Sequence, residues 1–473
     1  MTRQPLRFYA WVVMRRSRTL PPGPSLPASV QAALMLLYWP RFVSACRRRY
    51  GSVFTLRLGS MGTMVYLDDP ADIKVVFAGD PATYHAGEAN SVLSFLLGDS
   101  SVLVIDEEVH RDRRRLMLAP FRHDAVVRQA GVMAEIAAAN IANWPLQTEF
   151  PVAPRMSEIT FEVILRTVIG ATDPVRLAAL REVMPRLLNM GTLAMLSLAN
   201  PNVHRHRPLR EVRRRIEQAD HLLYAEIADR RADPNLAGRT DTLATLVRAA
   251  GDDGRTMTDT ELRDQLMTLL VAGHDTTATG LSWALERLIR HPAVLEKAVW
   301  AADASAGGDP AGDTYLDAVA KETLRIRPVV FDVGRILTRP VELGGYRLPA
   351  GIMVAPGIGL VHSSAKQYPD PERFDPDRMI GAALTPTTWL PFGGGNRRCL
   401  GATFAMVEMR VVLREVLRRV ELSTTGSAGE RPRVKHVILT PHRGARIRVR
   451  AVRPGASASP ATGSSVSYSA GGN

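Results

Sequence analysis

The chain runs to 473 residues with 46% hydrophobic and 23% charged side chains, close to the averages of a soluble globular protein and enough to bury a large core. Its net charge of +13 rests on arginine, with lysine at only five positions, and the arginines are scattered without a basic block. Charge of that kind supports non-specific attraction and no nucleic-acid reading. The two cysteines, Cys46 and Cys399, are far apart, which excludes a CxxC zinc cluster, argues against a disulfide framework and fits a reducing cytoplasm.

Residues 1–20 form an apolar and basic segment in which Leu6–Met14 lies between Arg3 and Arg15–Arg16. A second apolar run, Ala32–Trp39, stops at Pro40. Neither reaches the roughly 18–20 apolar residues that span a bilayer, so no transmembrane span is expected. Surface-lying membrane attachment stays open as the alternative to a cytoplasmic protein. Leu20–Pro24 is a stiff turn that opens the body of the chain. Alternating runs at Ser52–Leu58 and Thr63–Leu67, joined through Gly59–Gly62, predict a hairpin.

From about residue 105 to 325 the pattern is helical. One helix is unusually long: Thr258 with Glu261 is a capping-box signature, and Leu262, Leu266, Leu269, Leu270, Thr276, Leu281, Leu285 and Leu288 follow at helical spacing up to His291-Pro292. About 33 residues would run roughly 50 Å, the length of a central spine. Strands are predicted at Arg347–Leu348, Ile352–Val354, Val434–Leu439 and Ala445–Val452, and beyond Arg453 a Ser-, Ala- and Gly-rich tail carries no periodicity. The expectation is a mainly α fold with a small β region: an apolar and basic N-terminal segment over 1–20, one domain over 21–453, and a disordered tail over 454–473.

The stretch richest in chemistry is Phe392-Gly393-Gly394-Gly395-Asn396-Arg397-Arg398-Cys399-Leu400-Gly401, followed by a helical run from Ala402 to Arg419. Three glycines let a backbone come close to a flat, bulky object. A cysteine at a helix N-terminus has its thiolate favoured by free N–H groups. Arg397 places a fork-shaped cation where an acidic group could be paired. A buried structural cysteine beside a glycine turn is the plainer reading of the same residues.

The full pattern, Phe-x-x-Gly-x-Arg-x-Cys-x-Gly, resembles the haem-binding signature of the cytochrome P450 family. The likeness extends to Ala272-Gly273-His274-Asp275-Thr276-Thr277 mid-way along the long helix, to Glu322-Thr323-Leu324-Arg325, and to Pro371-Glu372-Arg373-Phe374. It implies a haem-thiolate monooxygenase with the long helix passing over haem b. Cys399 would then be the iron ligand, its anionic sulfur favouring O–O cleavage. Asp275 and Thr276 would manage oxygen and protons, with Gly273 and Thr276 letting the helix open locally. The plainer alternative is a Thr276 hydroxyl bonded back to the preceding turn and an Asp275 paired with a basic residue.

The same likeness assigns Arg397, Arg335, Arg114 and His110 to the haem propionates, with Phe392 and Gly395 in the ligand loop. It assigns Glu322, Arg325 and Arg373 to a buried scaffold cluster. Leu96, Leu270, Ala272, Val330 and Phe331 become candidate lining for a lipophilic substrate, and Gly191–Leu198 with His204–Arg207 reads either as the region over its channel or as ordinary helix core. His274 and Cys46 read as ordinary packed residues. Two positions depart from the pattern: Glu107 stands near where glycine is common, and His362–Gln367 lacks a His-Arg-Asp-Pro run.

No glycine-rich dinucleotide fingerprint follows a strand, so electrons must come from a separate ferredoxin or flavodoxin. Arg113, Arg115, Arg398 and Arg410 are candidates for meeting that acidic partner, and a monomer is expected. A peroxygenase or dehydratase, or a non-catalytic haem sensor, are the competing readings on the same scaffold.

Overall fold

The computed structural model describes residues 20–59, 62–188, 207–252, 254–423 and 428–454. The apolar stretch Leu6–Met14, the stretch Gly191–Leu198 with His204–His206, and the tail from residue 455 lie outside the described residues.

In chain order the longer elements are α1 (Ala28–Tyr50), β1 (Val53–Arg57), β2 (Thr63–Leu67), α2 (Pro70–Ala78), β3 (Tyr84–His85), α3 (Glu107–Met117), α4 (Ala130–Ile141), β4 (Glu149–Pro151), α5 (Ala153–Ile164), α6 (Pro174–Leu188) and α7 (Arg207–Ala232). There follow α8 (Asp259–Leu288), α9 (Pro292–Ala306), α10 (Pro310–Ile326), β5 (Arg335–Leu337), β6 (Val341–Leu343), β7 (Tyr346–Leu348), β8 (Met353–Pro356), α11 (Ala402–Arg419), β9 (Val420–Ser423), β10 (Pro432–Lys435), β11 (Ile438–Pro441) and β12 (Arg446–Val452).

The spine is α8. Its first turn is closed by the predicted capping box: Glu261 N–H donates to Thr258 Oγ1 at 3.2 Å, and Thr258 N–H donates to Glu261 Oε2 at 2.8 Å. The helix holds 30 residues, about 45 Å, and stops before Pro292. Its two halves are buried in different cores. Leu262, Leu266, Met267 and Leu270 pack with α6 and α7, whereas Ala278, Leu281, Ala284, Leu285 and Leu288 pack with α4, α9, α10 and α11. Residues 271–277 fall between the two.

The larger sheet runs β1-β2-β8-β5-β3, with β2 and β8 parallel and the other pairs antiparallel. The predicted β1–β2 hairpin is present, in register from Val53 opposite Leu67 to Arg57 opposite Thr63. A second sheet is ordered β4-β12-β9. The strand expected at Val434–Leu439 is instead a hairpin, β10 against β11, reversed at His436 and Val437 with His436 at φ 56. Nothing in Val-Lys-His-Val-Ile-Leu announces that turn: it holds no Gly, Pro or Asn.

Candidate active site

Cys399 follows a short helical turn at Gly395–Arg397 and precedes the first residue of α11 by three positions. The loop is folded by Cys399 N–H donating to Phe392 O at 2.9 Å and Gly393 N–H to Leu390 O at 3.0 Å. Phe392 itself packs edge-on against Trp389. Gly393 and Gly395 are left-handed, at φ 64 and 67. A side chain on Gly394 would strike the Phe77 ring, and one on Gly395 the Phe77 carbonyl oxygen. The close approach that these two glycines permit is therefore to the last turn of α2. Cys399 is set deep enough for burial to raise its thiol pKa, yet the residue is exposed, so it opens onto an internal cavity. The Gly401 N–H and the Arg398 and Arg114 guanidinium groups pull the pKa back towards the thiolate.

A group of cations stands on the same side. Arg335 is 6% exposed at the start of β5 and donates only to Gly334 O, at 2.8 Å, with the Phe77 ring against its guanidinium. Arg114, on α3, has no hydrogen bond or ion pair among the described residues, and burial lowers its pKa. Arg397 is committed to Val102 O, Ile105 O and the Asp106 carboxylate. Asp106 in turn accepts the N–H groups of Ala86, Gly87 and Glu88.

Burial pushes Arg335 and Arg397 each down to about 10, and the two depress one another or their neighbours further. Burial, then Arg397 and Arg114, drives the buried His110 down to about 3. Three guanidinium groups thus crowd together, and Asp106 offsets Arg335 and Arg397. Such an excess of buried positive charge is stabilised by a dianion. Arg335 and Arg114 keep donors free for it, while Arg397 is largely tied to the protein.

Mid-way along α8 the surface opens again. Ala272 is exposed and Leu269, Gly273 and Thr276 are half-buried; these are positions i, i+3, i+4 and i+7, one face of the helix. Thr276 Oγ1 donates to Ala272 O at 2.7 Å. Asp275 Oδ2 accepts from Lys435 Nζ on β10 at 3.1 Å, and its Oδ1 lies 3.5 Å from His274 Nε2. His274 is buried against α5, with Ser157 and Thr160 hydroxyls each 3.1 Å from its ring nitrogens, and burial lowers its pKa. The back-bonded threonine and paired aspartate of the plainer alternative are both present, with Lys435 as the cation. The helix is continuous through Gly273, whose Cβ position would lie 3.0 Å from Ile164 of α5. The absence of a side chain at Gly273 lets α5 pack closely here.

Several expected lining residues face the core. Leu270 is fully buried, and Leu96 and Phe331 are 6% and 5% exposed; Phe331 packs with Trp39. Ala272 and Val330 keep accessible surface. Leu269 takes the place given to Leu270, one residue and about 100° away round the helix.

The scaffold cluster is also corrected. Arg325 grips Glu322 with both arms, at 2.7 and 2.8 Å, and binds the carbonyl oxygens of His362, Pro371 and Arg373. The second arginine on Glu322 is Arg378, at 3.3 Å, joined by Asp375 N–H at 3.0 Å. The Arg373 side chain is 69% exposed and offers the cluster only its carbonyl. Of the four arginines expected on the outer face, Arg113 is buried against Glu261 and Arg410 pairs with Asp317 and Asp313. Arg115 and Arg398 are exposed. Glu107 stands at φ 54, a left-handed position that ordinarily favours glycine, and its carboxylate is 2.9 Å from His85.

A thiol at a helix start, a buried cation cluster and an uncovered turn of the spine are joined by sequence relationship to one family. The model of the cytochrome P450 family matches residues 21–449, and the chain belongs to that family. It is 75% identical over 446 residues to cytochrome P450 135B1 of Mycobacterium tuberculosis, covering 94% of each chain. It is 40% identical over 432 residues to cytochrome P450 135A1 of the same species, covering 91% of this chain and 95% of that one. A retinoic acid-bound cyanobacterial structure, CYP120A1, superposes with a TM-score of 0.80 at 24% identity, covering 92% of this chain and 100% of that one, which shows the fold.

As a cytochrome P450 the protein is an oxidoreductase of the monooxygenase class. It carries haem iron, uses O2 and a redox partner, and acts on a small molecule. The residues present fit that group: an accessible cysteine whose sulfur is approached by the Gly401 N–H and two guanidinium groups, and free guanidinium donors for two carboxylates. No helix among the described residues is long and apolar enough to cross a membrane.

Proposed function

We propose that the chain inserts one oxygen atom from O2 into a lipophilic substrate, with Cys399 as the ligand of haem b and electrons from a separate ferredoxin or flavodoxin. The observation that carries this reading is Cys399: an accessible thiol deep in the protein, at the start of α11, with a backbone N–H and two arginines favouring its anion. The haem, when bound, supplies thiolate-ligated iron at which O2 is reduced and cleaved.

Arg335 and Arg114 hold the propionates, and Arg397 braces the loop through Asp106. His110, kept neutral, offers a hydrogen bond without adding a fourth charge. Thr276, its own proton given to Ala272 O, keeps lone pairs to accept a proton donor beside the exposed Ala272. Asp275, between Lys435 and His274, is placed to pass protons inward from the β10–β11 hairpin. Ala272, Leu269 and Val330 give the cavity apolar walls. Exposed Arg398 and Arg115 face an acidic electron donor.

The test is coupling. Thr276→Ala is expected to retain NAD(P)H consumption with a reconstituted ferredoxin system while product per electron pair falls by about a hundredfold, the lower end for one lost proton-transfer group. Unchanged product yield in Thr276→Ala, with peroxide-driven turnover equal to O2-driven turnover, would replace the monooxygenase by a peroxygenase.

A further inference from the structure

We propose that Asp332 anchors the substrate, selecting lipophilic molecules that carry a cationic nitrogen; the proposal rests on the monooxygenase reading above. Asp332 lies in the loop between α10 and β5, three residues before Arg335 of the cation cluster, so the two Cα atoms are within about 10 Å. Its neighbours Val330 and Val333 are half-buried apolar residues.

The carboxylate is held on one side only. Oδ2 accepts from Trp39 Nε1 of α1 at 3.0 Å and from the Tyr66 hydroxyl of β2. Trp39 Nε1 also lies 3.0 Å from the Tyr66 oxygen, which ties the three into one unit. Both of these bonds fall on Oδ2, no hydrogen bond or ion pair reaches Oδ1 among the described residues, and Asp332 keeps accessible surface. Burial pushes its pKa up to about 6 and the two donors pull it back; no cation acts on it. The titratable groups on its side are Tyr66 and, behind Tyr66, Cys46 of α1. A deep carboxyl that still shows accessible surface opens onto a cavity.

Above its pKa this group is a buried anion with two neutral donors and no counter-ion, which is costly unless a cation arrives from outside. A carboxyl serving only as a pin would need Oδ2 alone. The half-buried Trp39 ring beside it suits an alkylammonium head group, and the apolar walls at Val330 and Ala272 suit its chain.

The experiment titrates the haem-loaded protein by calorimetry with decyltrimethylammonium, decanol and decanoate, recording the Soret band in parallel. A quaternary ammonium cannot ligate iron, so both readouts report pocket binding. The expected order puts the cation at least tenfold tighter than decanol at pH 8, with decanoate weakest. That preference should disappear in Asp332→Asn and should fade in the wild type as pH falls through about 6. Tyr66→Phe keeps the carboxylate but removes a donor, so cation binding should be lost at a higher pH than in the wild type. It carries the test alone if Asp332→Asn fails to fold. Equal affinities for the cation and decanol, or a preference that survives both variants unchanged, would overturn the anchor. Cation preference by calorimetry without any Soret response would place Asp332 away from the haem and overturn it as a substrate anchor, leaving the monooxygenase reading untouched.

Discussion

Cys46 is 4% exposed among Phe54, Leu56 and Tyr66, and burial drives its thiol up to about 11. Cys399 has a backbone N–H, two guanidinium groups and an open face. Thiolate character and access decide reactivity. Haem-free native protein should therefore be alkylated by iodoacetamide at Cys399 alone, and at both positions in denaturant, as read by peptide mass spectrometry. Labelling of Cys46 at an equal rate would contradict the assignment. Histidine gives a second test. His362 is 1% exposed, accepts Leu390 N–H at Nε2, and burial beside Arg325 drives its pKa down to about 3. A protonated ring cannot accept that bond. The unfolded state therefore binds the extra proton first, and stability present above about 6.5 falls as pH drops from there towards 3. His362→Gln keeps an acceptor and does not titrate, so its urea stability should fall less steeply over that window. Parallel pH profiles would refute the point.

At the level of elements, the segment after α10 is tied down by Glu322 and Arg325. Arg378→Ala should cost about 3 kcal/mol, the lower end for breaking a buried pair, because Arg325 still holds Glu322. Arg373→Ala should stay within about 0.5 kcal/mol, as expected of an exposed side chain. Denaturant unfolding of the two variants decides it, and equal losses would restore Arg373 to the cluster. That exchange shows where sequence reading stops. Pro371-Glu372-Arg373 and Pro376-Asp377-Arg378 are near-copies in one stretch, and only the fold shows which arginine turns inward. The ends of α8 and α11 were legible because a capping box, Pro292 and a glycine-bounded loop mark them. Leu269 against Leu270 was not, since one residue of rotation decides cavity or core. Nor was the role of Gly394 and Gly395, which depends on Phe77, more than 300 positions away.

For the molecule as a whole, the two cores flanking α8 leave residues 271–277 as the place where the spine can be reached from a cavity. Charge is divided in a similar way. Arg113 and Arg410 are spent on internal pairs and Arg115 pairs at the surface with Asp252 and Asp112, while Arg398 is exposed with no ion pair among the described residues. Reduction by an acidic ferredoxin should slow as ionic strength rises from about 0.01 to 0.15 M, where the screening length shrinks from about 30 to 8 Å. Arg398→Glu should slow it further at low salt. A rate indifferent to salt would move the docking face elsewhere. The account as a whole turns on sulfur ligation by Cys399. The direct measurement is the absorption spectrum of the reduced, haem-loaded protein under carbon monoxide. The wild type should show the red-shifted Soret band of thiolate-bound haem, and Cys399→Ser should lack it. A wild-type spectrum without that band, or one that survives in Cys399→Ser, would contradict the claim.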